Sequence, residues 1–331
     1  MRRLGSLLSA ALAVLVLALM PGGPADAQAP VKLKLGDLAQ SLNGIAVQAM
    51  KEQKLDLKHG IDVEYVRYPT LDGLFTAIRG KDVDVGFGGW TAFAQFRSQG
   101  APVTAIYSVG RGATLDVIVP TGSPVKSLGD LKGKKIGSYA GAAGTATVLF
   151  RVITAKFYGF DPGKSGHLQY AAPGLLTSLI DKGELDAALL FDPLAAKAVA
   201  SGRFRSISSL GDVYKKHIGE DFLWIVYGTN EDVMKRAPEA LTNFNRVWIE
   251  AVKYVQGHPE IFQTFGKTLG FDTPEGIALL RERVLKDYIL RWDQTFIDSL
   301  ATFGKLGNEV MGKGFLDTIP PEAFTTRFVP R

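Results

Sequence analysis

The chain has 331 residues, a formal net charge of +5 and no cysteine. The lack of cysteine excludes disulfides, zinc–thiolate sites, thiol catalysis and a lipid-attachment cysteine. Lysine and arginine are scattered along the chain, except for a short cluster at Lys132, Lys134 and Lys135 beside glycine turns. A positive charge that is mild and dispersed predicts no nucleic-acid surface.

The first 27 residues have the pattern of a secretory signal peptide. Arg2 and Arg3 form a positive start, residues 4–20 form an apolar stretch, and a Pro/Gly break leads to a small-residue end. We expect cleavage after Ala27, although a cut after Ala29 also fits. A membrane anchor is less favoured, because the apolar stretch is near the lower limit of a span. The expected product is an exported periplasmic protein of about 300 residues, a length that favours two lobes.

From Val31 onward, short apolar strands alternate with longer helical patterns, which is typical of βαβ units. The pattern predicts three strands in each of two halves, at residues 32–37, 61–67, 83–88, 134–139, 167–170 and 185–191. The helix ends of the two halves have similar sequences in the same order. Gly60-Ile61-Asp62 in the first half corresponds to Gly159-Phe160-Asp161 in the second, and Gly80 corresponds to Gly183. Glycine at these positions supplies the left-handed conformation of a helix end. The repetition predicts two lobes built from duplicated βαβαβ units.

Two strands at residues 103–109 and 115–119, on either side of Gly110-Arg111-Gly112, are expected to form the first chain crossing between the lobes, and a strand-like run at residues 222–227 is expected to form the second. This divides the mature chain into a first lobe of residues 28–113 plus 226–331 and an inserted second lobe of residues 114–225. Beyond Asn230 the pattern is helical, and the aromatic residues there have the spacing of a packed core.

A small-residue loop at residues 140–144 follows the first strand of the second half, and we expect a helix to begin at Thr145. The start of a helix presents unpaired backbone N–H groups and the positive end of its dipole, which favour an anion. The small residues also let the backbone approach a ligand. A tight strand–helix turn that merely needs small residues is the alternative.

Four phrases in this order resemble the nitrate/sulfonate/taurine-type substrate-binding proteins of ABC importers, a family that includes thiamine-pyrimidine-precursor-like members. They are Gly60–Val63, Gly80–Gly86, Ser127–Gly137 and Gly183–Pro193. The resemblance implies an α/β, two-lobed periplasmic binding protein of type II, each lobe a βαβαβ-based mixed sheet flanked by helices. It further implies a monomer without cofactor or catalytic residues. Such a protein captures a small anionic or zwitterionic solute in its interlobe cleft and delivers it to a permease and its ATPase.

The resemblance places the ligand site in four loops, each after the carboxyl end of a strand. The expected ligand-binding residues are Ser41, Asn43, Gly88, Gly89, Trp90, Thr91, Tyr139, Gly141, Gly144, Thr145, Phe191 and Asp192.

Several of these residues have a structural alternative. Ser41 or Asn43 can cap the following helix, Trp90 can belong to the lobe core, and Tyr139 can pack between the lobes. Asp192 followed by Pro193 reads as an N-cap with proline at the first helical position. If Asp192 instead faces the cleft, it suits a solute that carries an amine or an acidic N–H group as well as an anionic end.

In one respect the chain departs from this family. Many relatives carry Ser/Thr–His residues in the second-lobe loop, where this chain has Gly141-Ala142-Ala143-Gly144-Thr145. Backbone N–H groups must then replace the missing histidine contact.

Two other functions are compatible with the same fold. A thiamine-pyrimidine-synthase-like enzyme needs a histidine-rich site and clustered cysteines, and none of the four histidines falls in the predicted cleft loops. The histidine, aspartate and glutamate residues also lack metal-ligand spacing, so no metal is expected. A periplasmic ligand-sensing partner of a receptor would use the same cleft as an importer component.

Overall fold

The computed structural model describes residues 29–39, 41–312 and 314–331, so the predicted signal peptide lies outside the described residues. No helix within these ranges is both long and apolar enough to cross a membrane.

Ten strands follow one another along the described chain. They are β1 (Val31–Leu38), β2 (Ile61–Tyr68), β3 (Val85–Gly89), β4 (Val103–Gly110), β5 (Leu115–Pro120), β6 (Ile136–Ser138), β7 (Leu168–Tyr170), β8 (Ala187–Phe191), β9 (Phe204–Ser209) and β10 (Ile225–Asn230). All six strands predicted for the two duplicated halves are present, within a few residues of the expected bounds.

Helices separate most of these strands and form the C-terminal part of the chain. They are α1 (Gly44–Glu52), α2 (Leu55–Lys58), α3 (Leu71–Gly80), α4 (Trp90–Ser98), α5 (Thr145–Phe157), α6 (Pro173–Asp181), α7 (Leu194–Ala200), α8 (Leu210–Ile218), α9 (Glu231–Arg236), α10 (Pro238–Gly257), α11 (Ile261–Thr268), α12 (Pro274–Asp287) and α13 (Gln294–Met311).

The strands form two five-stranded mixed sheets, which confirms the predicted α/β class. The first has the order β2-β1-β3-β10-β4, and the second has the order β7-β6-β8-β5-β9. In each sheet the strands of the βαβαβ unit are parallel, β1 with β2 and β3, and β6 with β7 and β8. The strand that arrives from the other half, β10 or β5, pairs antiparallel with both of its neighbours.

The chain passes from the first sheet to the second between β4 and β5, and it returns after α8 to enter β10. This topology brings the carboxyl ends of β1 and β8 toward the same region. Ligands of open α/β sheets bind at such strand ends.

The helix ends explain why the duplicated phrases are so similar. Gly60, Gly159 and Gly183 have φ values of 71°, 74° and 73°, which only glycine adopts without strain. The end of α3 differs from this prediction, because Gly80 is its last helical residue and Lys81 takes the left-handed conformation at φ 66°. The additional residue in the first half therefore moves the left-handed position from the glycine to the lysine.

The C-terminal helices complete the core. Phe244, Trp248, Phe262 and Phe303 are fully buried, as the helical spacing predicted. Helix α10 packs on α1, whereas α12 packs on α7 and α13 packs on α5. The C-terminal part of the chain therefore contacts both sheets, and side chains of α12 can reach the strand ends of the second sheet.

Candidate functional site

A cavity of about 30 Å³, here called the cleft cavity, lies where the two sheets face each other. Its lining includes Ser41 and Asn43 from the loop after β1, and Phe191 and Asp192 at the end of β8. The structure therefore brings together four of the twelve predicted residues, two from each half of the chain. Thr114, Trp224 and Asp287 also line the cavity, and sequence reasoning did not identify them.

The loop after β1 places a buried polar group behind this lining. Asp37 is fully buried, and its carboxylate accepts hydrogen bonds from the Tyr65 hydroxyl at 3.1 Å and the Leu38 backbone N–H at 2.7 Å. Burial raises the pKa of Asp37 to about 7, because the ionised form loses the solvation of water.

Asn43 contributes a donor that has no partner in the described structure. Its backbone N–H donates to the Ser41 hydroxyl at 3.1 Å, but its side chain makes no capping bond to α1. The Asn43 side-chain amide nitrogen is buried without a hydrogen-bond partner. An unpaired buried donor is costly, so this amide is suited to an acceptor that arrives from outside.

Asp192 both supports a helix and pairs with a cation. Its Oδ1 accepts from the Ala196 backbone N–H at 2.9 Å, and its Oδ2 contacts Nε of Arg283 at 2.5 Å. The Asp-Pro pair predicted that Pro193 is the first residue of a helix. In the structure α7 begins at Leu194, and Pro193 is the N-cap residue that precedes it.

The same guanidinium serves a second carboxylate, since an Arg283 terminal nitrogen lies 2.5 Å from Asp116 Oδ2. Burial raises the pKa of Asp192 to about 7, and the nearby Asp116 carboxylate adds to the rise while Arg283 opposes it. Arg283 lies 91 residues from Asp192 in sequence, and no local pattern separates it from the neighbouring exposed Arg281.

Asp287, the last residue of α12, forms a further wall of the cleft cavity. Its Oδ1 accepts a hydrogen bond from the Thr114 backbone N–H at 3.2 Å. Burial raises the pKa of Asp287 to about 6, whereas the backbone hydrogen bonds and Arg111 lower it. The adjacent Tyr288 hydroxyl is buried without a hydrogen-bond partner.

A second group of predicted residues forms a direct contact between the two halves. Helix α5 begins at Thr145, as predicted, and the Thr145 hydroxyl is hydrogen-bonded to the Thr91 hydroxyl. A Cβ added to Gly89 would lie only 2.3 Å from Thr145 Oγ1. In this structure, the start of α5 is therefore packed against protein.

The remaining predicted residues lie outside the lining of the cleft cavity. Trp90 is fully buried, with its ring 5.8 Å from Phe303, as in the core alternative. A Cβ on Gly88 would meet the Phe75 ring at 2.7 Å. Tyr139 packs against Phe191, a residue of the cavity lining, with ring centroids 4.6 Å apart and planes tilted by 45°.

The loop before α5 contains one tight and one open glycine. A Cβ on Gly144 would meet Ala140 Cβ at 2.8 Å, whereas a Cβ on Gly141 would meet nothing within 4 Å. Gly141 is exposed, so a side chain introduced there points into free space. Gly144 is required by the turn itself.

A larger depression of about 750 Å³, here called the mouth groove, adjoins the cleft cavity, and Ser41 lines both. Four cationic residues line the mouth groove, namely Lys51, Arg67, Lys197 and Lys267. Lys51 is paired with Asp56 and Asp62, while the described part of the chain places no carboxylate within ion-pair distance of the other three. The mouth groove thus carries positive charge next to the carboxylates of the cleft cavity.

Within residues 29–39, 41–312 and 314–331, no group of three or more histidine, aspartate or glutamate residues is arranged to hold a metal ion.

Solved structures with a similar fold include two sulfonate-binding proteins. The alkanesulfonate-binding protein SsuA from Xanthomonas axonopodis pv. citri, bound to MOPS, is 16% identical, with a TM-score of 0.70 over 90% of this chain and 99% of that chain. The periplasmic aliphatic sulphonate binding protein SsuA from Escherichia coli is 15% identical, with a TM-score of 0.67 over 88% and 95% of the two chains.

An ABC transporter structure from Parabacteroides distasonis is 17% identical, with a TM-score of 0.63 over 92% of this chain and 99% of that chain. At these identities the likeness shows the fold, and it confirms the two-lobed periplasmic binding protein architecture. No curated protein sequence matches the chain significantly.

The family model described as NMT1/THI5 like matches residues 57–261, which is more than half of the chain. The matched range contains α5, β8 and the crossings between the two sheets. The chain therefore belongs to the NMT1/THI5-like family.

Proposed function

We propose that this protein is the solute-binding component of an ABC importer and captures a small anionic or zwitterionic organic solute between its lobes. The observation that carries the proposal is the cleft cavity, where Ser41 and Asn43 of one lobe meet Phe191 and Asp192 of the other. A solute in contact with both lobes stabilises the closed arrangement, and closure signals that the protein is loaded.

The mouth groove supports an anionic group on the solute. Arg67, Lys197 and Lys267 line it, and they come from three different elements, β2, α7 and α11. Clustered charge of one sign along a cleft attracts the opposite charge and accelerates its encounter. Lys197 belongs to the second lobe and Arg67 to the first, so an anion between them favours closure.

The size of the cleft cavity supports a hinged mechanism. About 30 Å³ accommodates roughly two water molecules. A taurine-sized solute needs more space, so the lobes must separate at the contact between Gly89 and Thr145 before the solute enters. We expect this motion at the two chain crossings, near residues 110–115 and 222–226.

The proposed partners follow from this role. The neighbours in fold are described as a periplasmic sulphonate binding protein, an alkanesulfonate-binding protein and an ABC transporter. We propose that this protein likewise lies in the periplasm and delivers its solute to a permease and its ATPase. Residues 1–27 would then be the export signal. The related sensing role would use the same cleft without the permease.

A thermal-shift screen of the mature protein tests the proposal. The compounds are nitrate, ethanesulfonate, taurine, β-alanine and 4-(aminomethyl)benzoate, each with its counter-ion alone as the blank. A solute at one hundred times its dissociation constant should stabilise the folded protein by about 2.7 kcal/mol. If none of these compounds raises the melting temperature, the proposed small-solute role is contradicted.

A variant locates the binding event. Phe191→Ala removes a lining ring of the cleft cavity and should weaken any compound that binds by tenfold or more. Leu57→Ala removes an exposed side chain that is not part of the lining of the cleft cavity or of the mouth groove, and it should leave the affinity unchanged. Equal binding by wild type and Phe191→Ala would place the solute elsewhere.

A further inference from the structure

The cleft cavity has an unusual charge for a site that takes an anion. Among the described residues that line it, the charged side chains are Asp192 and Asp287. Asp37 lies behind the lining, and Asp116 shares Arg283 with Asp192. Four carboxyl groups thus lie in or next to the lining of the cavity, and the Arg283 guanidinium pairs with two of them.

The nearby cations are occupied by other carboxylates. Arg111 contacts Asp212 at 3.0 Å and Asp221 at 3.1 Å, and Lys286 contacts Asp212 at 2.5 Å. Arg111 also lowers the pKa of Asp287, and Lys286 lowers that of Asp116, but neither cation contacts these carboxyl groups directly. The buried carboxyl groups of the cavity are therefore short of cationic partners, and a bound cation would stabilise their ionised forms.

The side-chain amide of Asn43 is an independent sign of a ligand. Only 6% of Asn43 is exposed, and its amide nitrogen makes no hydrogen bond to the described residues, although the side chain lies near enough to Asp37 to lower the pKa of that carboxyl. Asn43 lines the same cavity as Asp192 and Asp287. One solute can therefore accept a hydrogen bond from the Asn43 amide and donate hydrogen bonds from its own N–H groups to the two carboxylates.

Aromatic rings complete the wall beside these groups. Phe191 packs against Tyr139 with ring centroids 4.6 Å apart, and against Trp224 at 6.4 Å. Phe191 and Trp224 line the cavity. Aromatic rings beside carboxylates are the surroundings that a partly desolvated organic cation prefers.

We infer that the cleft cavity binds a positively charged nitrogen group of the solute, an ammonium or amidinium, between Asp192 and Asp287. This inference rests on the proposed solute-binding function and narrows its solute to a zwitterion. The anionic end of that zwitterion lies toward Arg67, Lys197 and Lys267 in the mouth groove. Simple alkanesulfonates and nitrate carry no cationic group that could pair with Asp192 and Asp287.

Matched pairs of compounds test the inference by isothermal titration calorimetry on the mature protein. Each pair has the same skeleton with and without the amine: taurine and ethanesulfonate, β-alanine and propionate, 4-(aminomethyl)benzoate and 4-methylbenzoate. We expect the amine-bearing member of the pair that fits to bind at least tenfold more tightly than its partner.

The variant Asp287→Asn tests which group is responsible. Asparagine keeps an oxygen for the Thr114 N–H but removes the charge, so affinity for the amine-bearing compound should fall at least tenfold. Asp72→Asn, on an exposed residue of α3, is the control and should change nothing. Circular dichroism establishes folding, and Asp192→Asn, which keeps an acceptor for Ala196, is the second variant if Asp287→Asn does not fold.

The outcomes separate this inference from the proposed function. Equal or tighter binding of the amine-free members overturns the inference and leaves the solute-binding function in place. Unchanged affinity in both Asp287→Asn and Asp192→Asn also overturns it. If neither member of any pair binds, the proposed function fails together with the inference.

Discussion

Replacing Arg283 by methionine tests the central ion cluster. The Arg283 side chain is 14% exposed, while those of Asp116 and Asp192 are 2% and 0% exposed. Methionine keeps most of the aliphatic volume but removes the charge, so two buried carboxylates lose the cation that they share. Breaking a buried ion pair from one side costs about 3–5 kcal/mol, because the remaining charge is both desolvated and unpaired.

The cost should depend on pH in a defined direction. Burial raises the pKa values of Asp116 and Asp192, and Arg283 lowers them. Without the guanidinium these pKa values rise further, so the folded variant takes up protons that the wild type does not. Protonation relieves the unpaired charge. The loss of stability should therefore be largest at pH 8 and smaller at pH 5.

Urea unfolding at pH 8 and pH 5, followed by circular dichroism, measures both effects. The matched control is Arg203→Met, since Arg203 contacts Asp181 at 2.5 Å with side chains 62% and 41% exposed. Such an exposed pair contributes at most about 1 kcal/mol. If Arg283→Met lost no more stability than Arg203→Met at pH 8, or lost equal amounts at both pH values, the ion-cluster reasoning would be refuted.

Three further predictions follow from the contacts and from the sequence. Gly89→Ala places a methyl group 2.3 Å from Thr145 Oγ1, so it should hold the lobes apart and increase the radius of gyration in small-angle scattering. Gly122→Ala, with open space around it, should leave that radius unchanged, and equal radii for the two variants would count against the closure contact. Burial raises the pKa of Asp37 from 3.8 to about 7, so the folded protein retains a proton that the unfolded chain releases. The melting temperature of the wild type should therefore fall as pH rises from 5 to 8, and that of Asp37→Asn should fall less. A wild-type melting temperature that rises over this pH range would contradict the raised pKa of Asp37. Exported protein should begin at Gln28 without lipid, and intact mass spectrometry showing residues 1–27 or a lipid-sized excess would reject that expectation.

Local sequence patterns determined the repeating framework of the protein. Glycine at position 60 or 159 favours a helix end whatever its tertiary surroundings, because glycine adopts the left-handed backbone conformation without steric cost. In the same way, the small-residue loop before Thr145 predicted the start of α5. Alternation of strands and helices was sufficient to predict two βαβαβ units, since each strand and helix has its own local hydrophobic pattern.

Other elements required packing that no short pattern contains. Helix α4 begins at Trp90, whose indole is buried in the core. The hydrophobic periodicity of the sequence does not distinguish this position from one that faces the cleft. The sequence patterns predict neither β9 (Phe204–Ser209) nor α8 (Leu210–Ile218). Their short apolar runs fit a strand or a helix equally well until neighbouring elements select one.

The charge of the candidate site was decided by tertiary structure. Asp192 was identified from its place at a strand end, but Arg283, Asp116 and Asp287 come from distant parts of the chain. Sequence does not mark any of the three as part of the site, because Asp116 is buried within the second sheet while Arg283 and Asp287 reach it from α12, which packs on α7. A strand end can thus be located from sequence, whereas the electrostatic preference of the cavity depends on which distant side chains the fold brings beside it.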